Sequence, residues 1–462
     1  MVASSLRDVP GPFLSKWTTL PLQIQWVWGR RAKYVHALHQ IYGPVVRLSP
    51  NEIDISDLKA VRQIHQTGSG FLKASWYQKL SPPGVENLFV TTNPQFHSRH
   101  RRLLSTPLSD SSLRLAEPLI DSRVQLTIQR MREQMDTNGV VDVYKWWVFM
   151  STDIIGELSF GESFELLENG KRSQLAEDVK RTGYIECLHT TVPSLVKLAT
   201  MLPIPFVPEI VLGGQRMLKS SDEAIEKYKH QLIKNKDNPK MSLFTKLFNS
   251  VDSDSLTYEE IRDEAFTYLL AGSSPTGTTL TYLVWAVCQH KEVQKALVSE
   301  VCSLPENFTD QDVRRLPYLE QVINETLRLY AIAPSGLARA VPSSGAELAG
   351  FFIPAGVTVS TQAYTLHRDP KIFPDPLRFD PSRWANSTKE MRDASMPFGG
   401  GSRICVGLHL ARRQIRLATA YFFRTFPRAK VSTQQNMSDS DMEQLIYFMM
   451  APKGKRCLVE LA

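Results

Sequence analysis

Phe398-Gly399-Gly400-Gly401-Ser402-Arg403-Ile404-Cys405-Val406-Gly407 decides how this 462-residue chain is read. Taken singly, a cysteine is most often a small buried hydrophobe. This one stands in a loop whose glycines, at 399, 400, 401 and 407, remove side chains where backbone has to approach a large flat ligand. Arg403 sets a fixed cation shortly ahead of the thiol. The run that follows, Leu408-His409-Leu410-Ala411-Arg412-Arg413-Gln414-Ile415-Arg416-Leu417, reads as a helix. Cys405 therefore falls near a helix N-terminus, where the dipole and free N–H groups favour thiolate over thiol. The loop is read as a device that presents one thiolate to a metal held in a planar ligand, with Phe398, Arg403, Cys405 and Gly407 as its working residues.

The pattern Phe-Gly-x-Gly-x-Arg-x-Cys-x-Gly resembles the haem-ligand loop of the cytochrome P450 superfamily, all specified residue types standing at matching positions. The resembled group is its membrane-anchored eukaryotic, fungal-type branch of secondary metabolism. Gln414 departs from the Glu usual there. The resemblance implies a mainly α fold with small β-sheets, a long central helix over the haem, and one catalytic domain spanning 1–462. It also implies haem b as cofactor, its iron ligated axially by the Cys405 thiolate.

Composition is that of an ordinary globular chain: 42% hydrophobic, 22% charged, and a net charge of +7 from 54 basic and 47 acidic side chains, too modest to argue for nucleic acid. Five cysteines (187, 288, 302, 405, 457) without CxxC pairing suggest neither a disulfide framework nor a structural zinc site. No run of eighteen apolar residues is present to span a bilayer. In membrane-bound members of the resembled family a Pro/Gly hinge follows an anchor. Val9-Pro10-Gly11-Pro12 matches it, so residues 1–12 are expected to be the residual hinge of a chain whose native anchor was removed, its home the cytosolic face of the endoplasmic reticulum membrane. The stretch 201–212, apolar and rich in proline, reads as irregular: either a segment dipping into a membrane surface or a buried loop.

Val45-Val46-Arg47-Leu48 and Glu52-Ile53-Asp54-Ile55 predict a hairpin, and residues 347–354 with 357–360 a second strand pair turned by Pro354-Ala355-Gly356. From about 94 to 300 the pattern is helical, with one helix over 110–135 and an almost wholly apolar one over 144–155. The longest helix should start at Thr257, where Thr257-Tyr258-Glu259-Glu260 makes a capping box, and run to about His290, roughly 50 Å at 1.5 Å per residue. Its middle, Ala271-Gly272-Ser273-Ser274-Pro275-Thr276-Gly277, carries two glycines and a proline that argue against helix.

Glu325 and Arg328 share a face of the helix opened by Pro317, which alone describes a surface salt bridge. By resemblance they form a buried pair that Arg383, in Phe379-Asp380-Pro381-Ser382-Arg383-Trp384, completes as a second arginine on one carboxylate. His97 and Arg101 stand at i, i+4: either a solvated basic face or, by resemblance, a grip on a haem propionate, with Arg339 and Arg403 as further contacts. The resembled monooxygenases place an acid followed by Thr on the central helix to steer protons; here the positions hold Ser274 and Pro275. Pro275 has no N–H for the Ala271 carbonyl, which is left free for a water or a substrate hydroxyl, and Ser274, Thr276 or ordered water would carry the proton. The bland alternative is that Pro275 only kinks the helix.

Trp76, Tyr77, Leu88, Phe89, Val90, Phe266, Leu270, Ile446, Tyr447 and Phe448 are candidate substrate contacts, and each fits a core equally well. With no flavin or nicotinamide fingerprint, electrons must come from NADPH-cytochrome P450 reductase, with or without cytochrome b5. Arg412, Arg413, Arg416, Arg99 and Arg102 are the expected basic docking face. The expected function is O₂-dependent oxidation of a lipophilic terpenoid, polyketide or alkaloid. A redox-neutral isomerase or dehydratase, or an oxidative cyclase with an atypical proton route, is the alternative.

Overall fold

A computed structural model of the chain describes residues 6–82, 84–171, 174–200, 207–234, 242–249 and 255–461. The central helix is Tyr258–Gln289, started as the sequence predicts. The Thr257 hydroxyl accepts from the Glu260 N–H at 3.2 Å and the Glu260 carboxylate from the Thr257 N–H at 2.8 Å. The helix runs unbroken through Pro275. Its glycines serve packing rather than a break. A Cβ on Gly277 would lie 2.7 Å from Val148 N, and one on Gly272 2.5 Å from Ile155 Cγ1, so both let the helix Val143–Phe160 cross at close range. That second helix is buried on nearly every face.

The hairpin Val45–Ser49/Glu52–Ile55 forms with Val45 opposite Ile55. It belongs to a five-stranded sheet in the order Val45–Ser49, Glu52–Ile55, Thr358–Ser360, Arg339–Ala340, Leu72–Lys73. At its far edge Lys73 stands directly opposite Arg339, a like-charge pair that calls for an anion nearby. The Pro-Gly-Pro segment lies on this sheet, with Arg47 N–H donating to Pro10 O at 2.7 Å.

Three sequence expectations are corrected. Residues 347–354 do not form one strand paired with 357–360. Instead Ala346–Leu348 pairs with Phe351–Ile353 across Ala349-Gly350, both at positive φ, and Thr358–Ser360 joins the larger sheet. The helix over 110–135 is two, Asp110–Leu115 and Glu117–Asn138, because Pro118 fits only a first turn. Residues 201–206 lie outside the described residues, but from Val207 the expected irregular segment is helical, with Pro208 in the first turn of Val207–Lys234. Among the described residues no helix is long and apolar enough to cross a membrane.

Candidate active site

The Cys405 loop is closed by its own backbone: Cys405 N–H donates to Phe398 O at 2.9 Å, and the helix Leu408–Thr425 begins directly after Gly407. Gly399 and Gly401 sit at φ +74° and +62°, and a Cβ on Gly401 would collide with the His65 carbonyl, so no other residue fits that turn. Cys405 has open surface, yet surrounding protein is close enough that burial raises its thiol above the ordinary value, opposed by the Gly407 N–H and by Arg101. Both statements hold for a residue lining an internal void. On the central helix Ala271 is the one exposed residue between Ile261 and Cys288. Tyr268, one turn earlier, is near enough to Cys405 to feel its charge. The cation acting on the sulfur is Arg101 rather than the expected Arg403. Arg101 donates to Ile404 O at 2.6 Å, whereas Arg403 turns away to Thr91 O at 3.3 Å.

Beside this void the structure gathers positive charge without negative. Lys73, His97, Arg101, Arg339 and Arg403 lie within one another's fields. Burial first, then Arg339 and Arg101, pushes Arg403 down to about 10. Burial, then Arg403 and Arg101, pushes His97 down to about 3. Lys73 is held well below the usual lysine range, and among the described residues no carboxylate pairs with it or with the three arginines. A buried cation cluster of this kind is costly unless an anion enters it. His65 borders the same region with Nε2 2.7 Å from Thr361 Oγ1, and its buried Nδ1 has no partner among the described residues. A void flanked by a thiol and crowded, unpaired cations fits a dianionic porphyrin with two propionates. Lys73 and His65 were missed in the sequence because neither falls in a motif; only the sheet and the turn at Gly401 bring them here.

Behind the loop, Glu325 and Arg328 are fully buried. Arg328 donates to both Glu325 oxygens at 2.8 and 2.7 Å, Arg383 adds a bond at 3.0 Å, and Trp384 Nε1 and the Asp380 N–H add two more. Arg328 also donates to His367 O, while His367 Nδ1 donates to Arg328 O at 2.8 Å and its Nε2 accepts from Met396 N–H at 2.9 Å. The network thus runs from the carboxylate to the start of the cysteine loop.

On the central helix Ala271 and Ser274 face partly open space, Pro275 is half-buried and Thr276 is buried. Trp76, Tyr77, Phe89 and Phe448 come together in one aromatic cluster, with Phe448 5.6 Å from Phe89 and 6.0 Å from Trp76. Leu270 borders Phe266, which at 4% exposure packs on Val85, Val179 and Met217. Ile446 is fully buried, its N–H bonded to Gly29 O, and Tyr447 packs on Tyr184 at 5.4 Å.

Of the expected basic docking face Arg413 and Arg416 are turned inward, Arg412 and Arg99 are ion-paired but partly open, and Arg102 is exposed. Arg413, 1% exposed, pairs with Asp110, Glu117 and Asp310; Arg416 pairs with Asp310 and Glu320; Arg412 with Glu320; and Arg99 clamps Glu260. These arginines hold helices together, and the acids that bind them come from segments distant in sequence.

An open thiol on a glycine-closed loop, near buried cations that no carboxylate among the described residues pairs, is compatible with a haem-thiolate site. The family model for cytochrome P450 matches residues 10–459, and the chain belongs to that family. It is 48% identical over 458 residues to the cytochrome P450 monooxygenase tazI of Aspergillus terreus, covering 99% of this chain and 94% of that relative. Cytochrome P450 monooxygenase orf2 of Aspergillus niger is 46% identical over 463 residues, with the same coverage. At 34% identity stands cytochrome P450 monooxygenase stcB of Emericella nidulans, matched over 99% of this chain and 88% of its own length. As a member of the family the protein is a haem-dependent oxidoreductase.

Proposed function

We propose that the chain, as a single catalytic domain, oxidises a lipophilic secondary metabolite with O₂ and electrons from a flavoprotein reductase, Cys405 being the iron ligand. The observation that carries this is the open surface of Cys405 on its glycine-closed loop, beside a buried cation cluster that no carboxylate among the described residues pairs. When bound, haem b supplies an iron centre for O₂ activation to which the thiolate donates electron density. Arg101, Arg339 and Arg403, with the neutral His97, would hold its propionates. Glu325, Arg328 and Arg383 keep the cysteine loop in place. Phe398 and Gly407 shape the loop, and the Gly407 N–H tempers the charge on sulfur.

On the central helix the Ala271 carbonyl, deprived of a donor by Pro275, accepts from a water or substrate hydroxyl. Ser274 and Thr276 offer hydroxyls for the proton that an acid supplies in related enzymes. Trp76, Phe89, Leu270, Tyr447 and Phe448 give an apolar enclosure that orients a terpenoid, polyketide or alkaloid skeleton and excludes water. The relatives reported above all carry the name monooxygenase, which favours this reading over a redox-neutral one.

Exposed apolar side chains near the start of the chain, Phe13 and Trp17 (both 73% exposed) with Leu14, Leu20, Ile24 and Trp28, suit a membrane surface and support a place on the cytosolic face of the endoplasmic reticulum. The test is turnover: NADPH, O₂ and product should be consumed and formed together when reductase and a lipophilic substrate are supplied. Product formed without reductant would replace the proposal with the redox-neutral alternative.

A further inference from the structure

The stretch Val85–Thr91 forms neither helix nor strand, yet its backbone is tied down from two sides. From the central helix, Asp263 accepts from the Glu86 N–H at 3.2 Å and Glu264 from the Leu88 N–H at 2.6 Å. From the haem-facing side, the Lys73 ammonium donates to Phe89 O and Arg403 to Thr91 O at 3.3 Å. Asn87 Oδ1 folds the strap between these ties by accepting from the Phe89 and Val90 N–H groups at 3.0 Å each.

Glu264 is itself immobilised. It is buried, and His100 Nδ1 lies 2.7 Å from the same oxygen that accepts from Leu88. His100 stacks on Phe96 with ring centroids 3.7 Å apart, and its other nitrogen is 3.3 Å from Glu260, which Arg99 grips with two bonds. None of these groups has a part in holding the cofactor or moving a proton in the mechanism above. The side chains that the strap presents nevertheless reach both halves of the candidate pocket: Val85 packs beside Phe266 and Leu270, and Phe89 packs on Tyr77 and Phe448 at 5.7 and 5.6 Å.

We propose that Glu264, locked by His100, is a positioning residue for substrate selection, fixing the Val85–Thr91 strap as the wall that joins the Leu270 side of the pocket to the Phe448 side. Outside any ladder or regular helix, and with only the Thr91 N–H to Asn87 O bond at 3.1 Å and the Val85 N–H to Pro82 O bond at 3.1 Å on its own backbone among the described residues, the strap depends on such ties to hold its place. A carboxylate acceptor held from behind by a buried imidazole is stronger and better aimed than a solvated one. Removing it frees the Leu88 amide and lets Phe89 swing. Ligands that touch only the iron are indifferent to that motion, and ligands that need the wall are not. The inference rests on the haem-thiolate reading.

The experiment uses the haem-loaded protein, titrated with imidazole and with 4-phenylimidazole and read by the Soret shift. Glu264→Met, which removes the acceptor at similar size, weakens 4-phenylimidazole by about tenfold, equivalent to about 1.4 kcal/mol, and leaves imidazole within about twofold. Unchanged affinity for both probes, or an equal loss of both, overturns the clamp. A wild type that binds neither probe refutes the haem reading instead. If Glu264→Met does not fold, hydrogen exchange on the wild type decides: the Leu88 amide is protected if the clamp exists, and exchange at the rate of an open chain sinks it.

Discussion

Glu325→Gln keeps the shape of the side chain and removes its charge, which makes it the sharpest probe of how the cysteine loop is held. The carboxylate accepts two bonds from Arg328, one from Arg383, one from Trp384 and one from the Asp380 N–H, all from groups that are buried or nearly so. An amide offers one acceptor oxygen in place of two and turns its own N–H₂ toward guanidinium donors. Two guanidinium charges are then left in the interior without a counter-charge, at a cost of about 3–5 kcal/mol. Against a typical total of about 5–15 kcal/mol that is a large fraction of the stability, a factor of roughly 10²–10⁴ in the ratio of folded to unfolded protein. Denaturant unfolding followed by far-ultraviolet circular dichroism, with the Soret band read in parallel, should show both transitions moving together to lower denaturant. Arg383→Lys, which loses one spoke of the network, should fall between. A Glu325→Gln protein with the wild-type midpoint and a full Soret band would refute the reasoning.

Gly277→Ala should destabilise by about 1–3 kcal/mol, because the new Cβ meets Val148 N at 2.7 Å and backbone cannot give way as a side chain can; thermal unfolding measures it. His367 is kept neutral, pushed down to about 3 by burial, so its stabilising contribution is complete above the ordinary histidine value of 6.5 and is lost as pH falls from there toward 3. Between about pH 7.5 and about pH 5 the wild type should therefore lose about 2 kcal/mol more unfolding free energy than His367→Gln, checked by denaturant titration at both pH values. Arg339→Ala and Lys73→Ala should each lower haem retention in dilute protein, and the double variant should recover part of the apoprotein's stability by relieving the cross-strand repulsion; pyridine haemochrome content and apoprotein melting read the two effects. Trp17→Ser with Phe13→Ser should reduce flotation with phospholipid vesicles while leaving the Soret band unchanged.

The loop around Cys405 was legible because its residue types are dictated locally: positive φ at Gly399 and Gly401, and a helix start after Gly407. The capping box at Thr257 was legible for the same reason. Reading failed where partners come from far away in the chain. Gly272 and Gly277 look like helix breakers until Ile155 and Val148 are seen against them. Arg413 and Arg416 look like a docking face until Asp110 and Asp310 neutralise them. Lys73 and Glu264 carry no motif at all; a sheet register gives the first its meaning and a backbone amide 176 residues away gives it to the second. The strand error at 347–354 has a local cause, since Ala349 adopts the positive φ that a two-residue turn requires and no alanine advertises it.

The absorption spectrum of the reduced, carbon monoxide-bound protein tests the central claim most directly. The wild type should show the strongly red-shifted Soret band of a thiolate-ligated haem, and Cys405→Ser should lose that shift while still binding haem between the same cations. A wild type without the red-shifted band, or a Cys405→Ser protein that keeps it, would contradict the assignment of the sulfur as the iron's ligand.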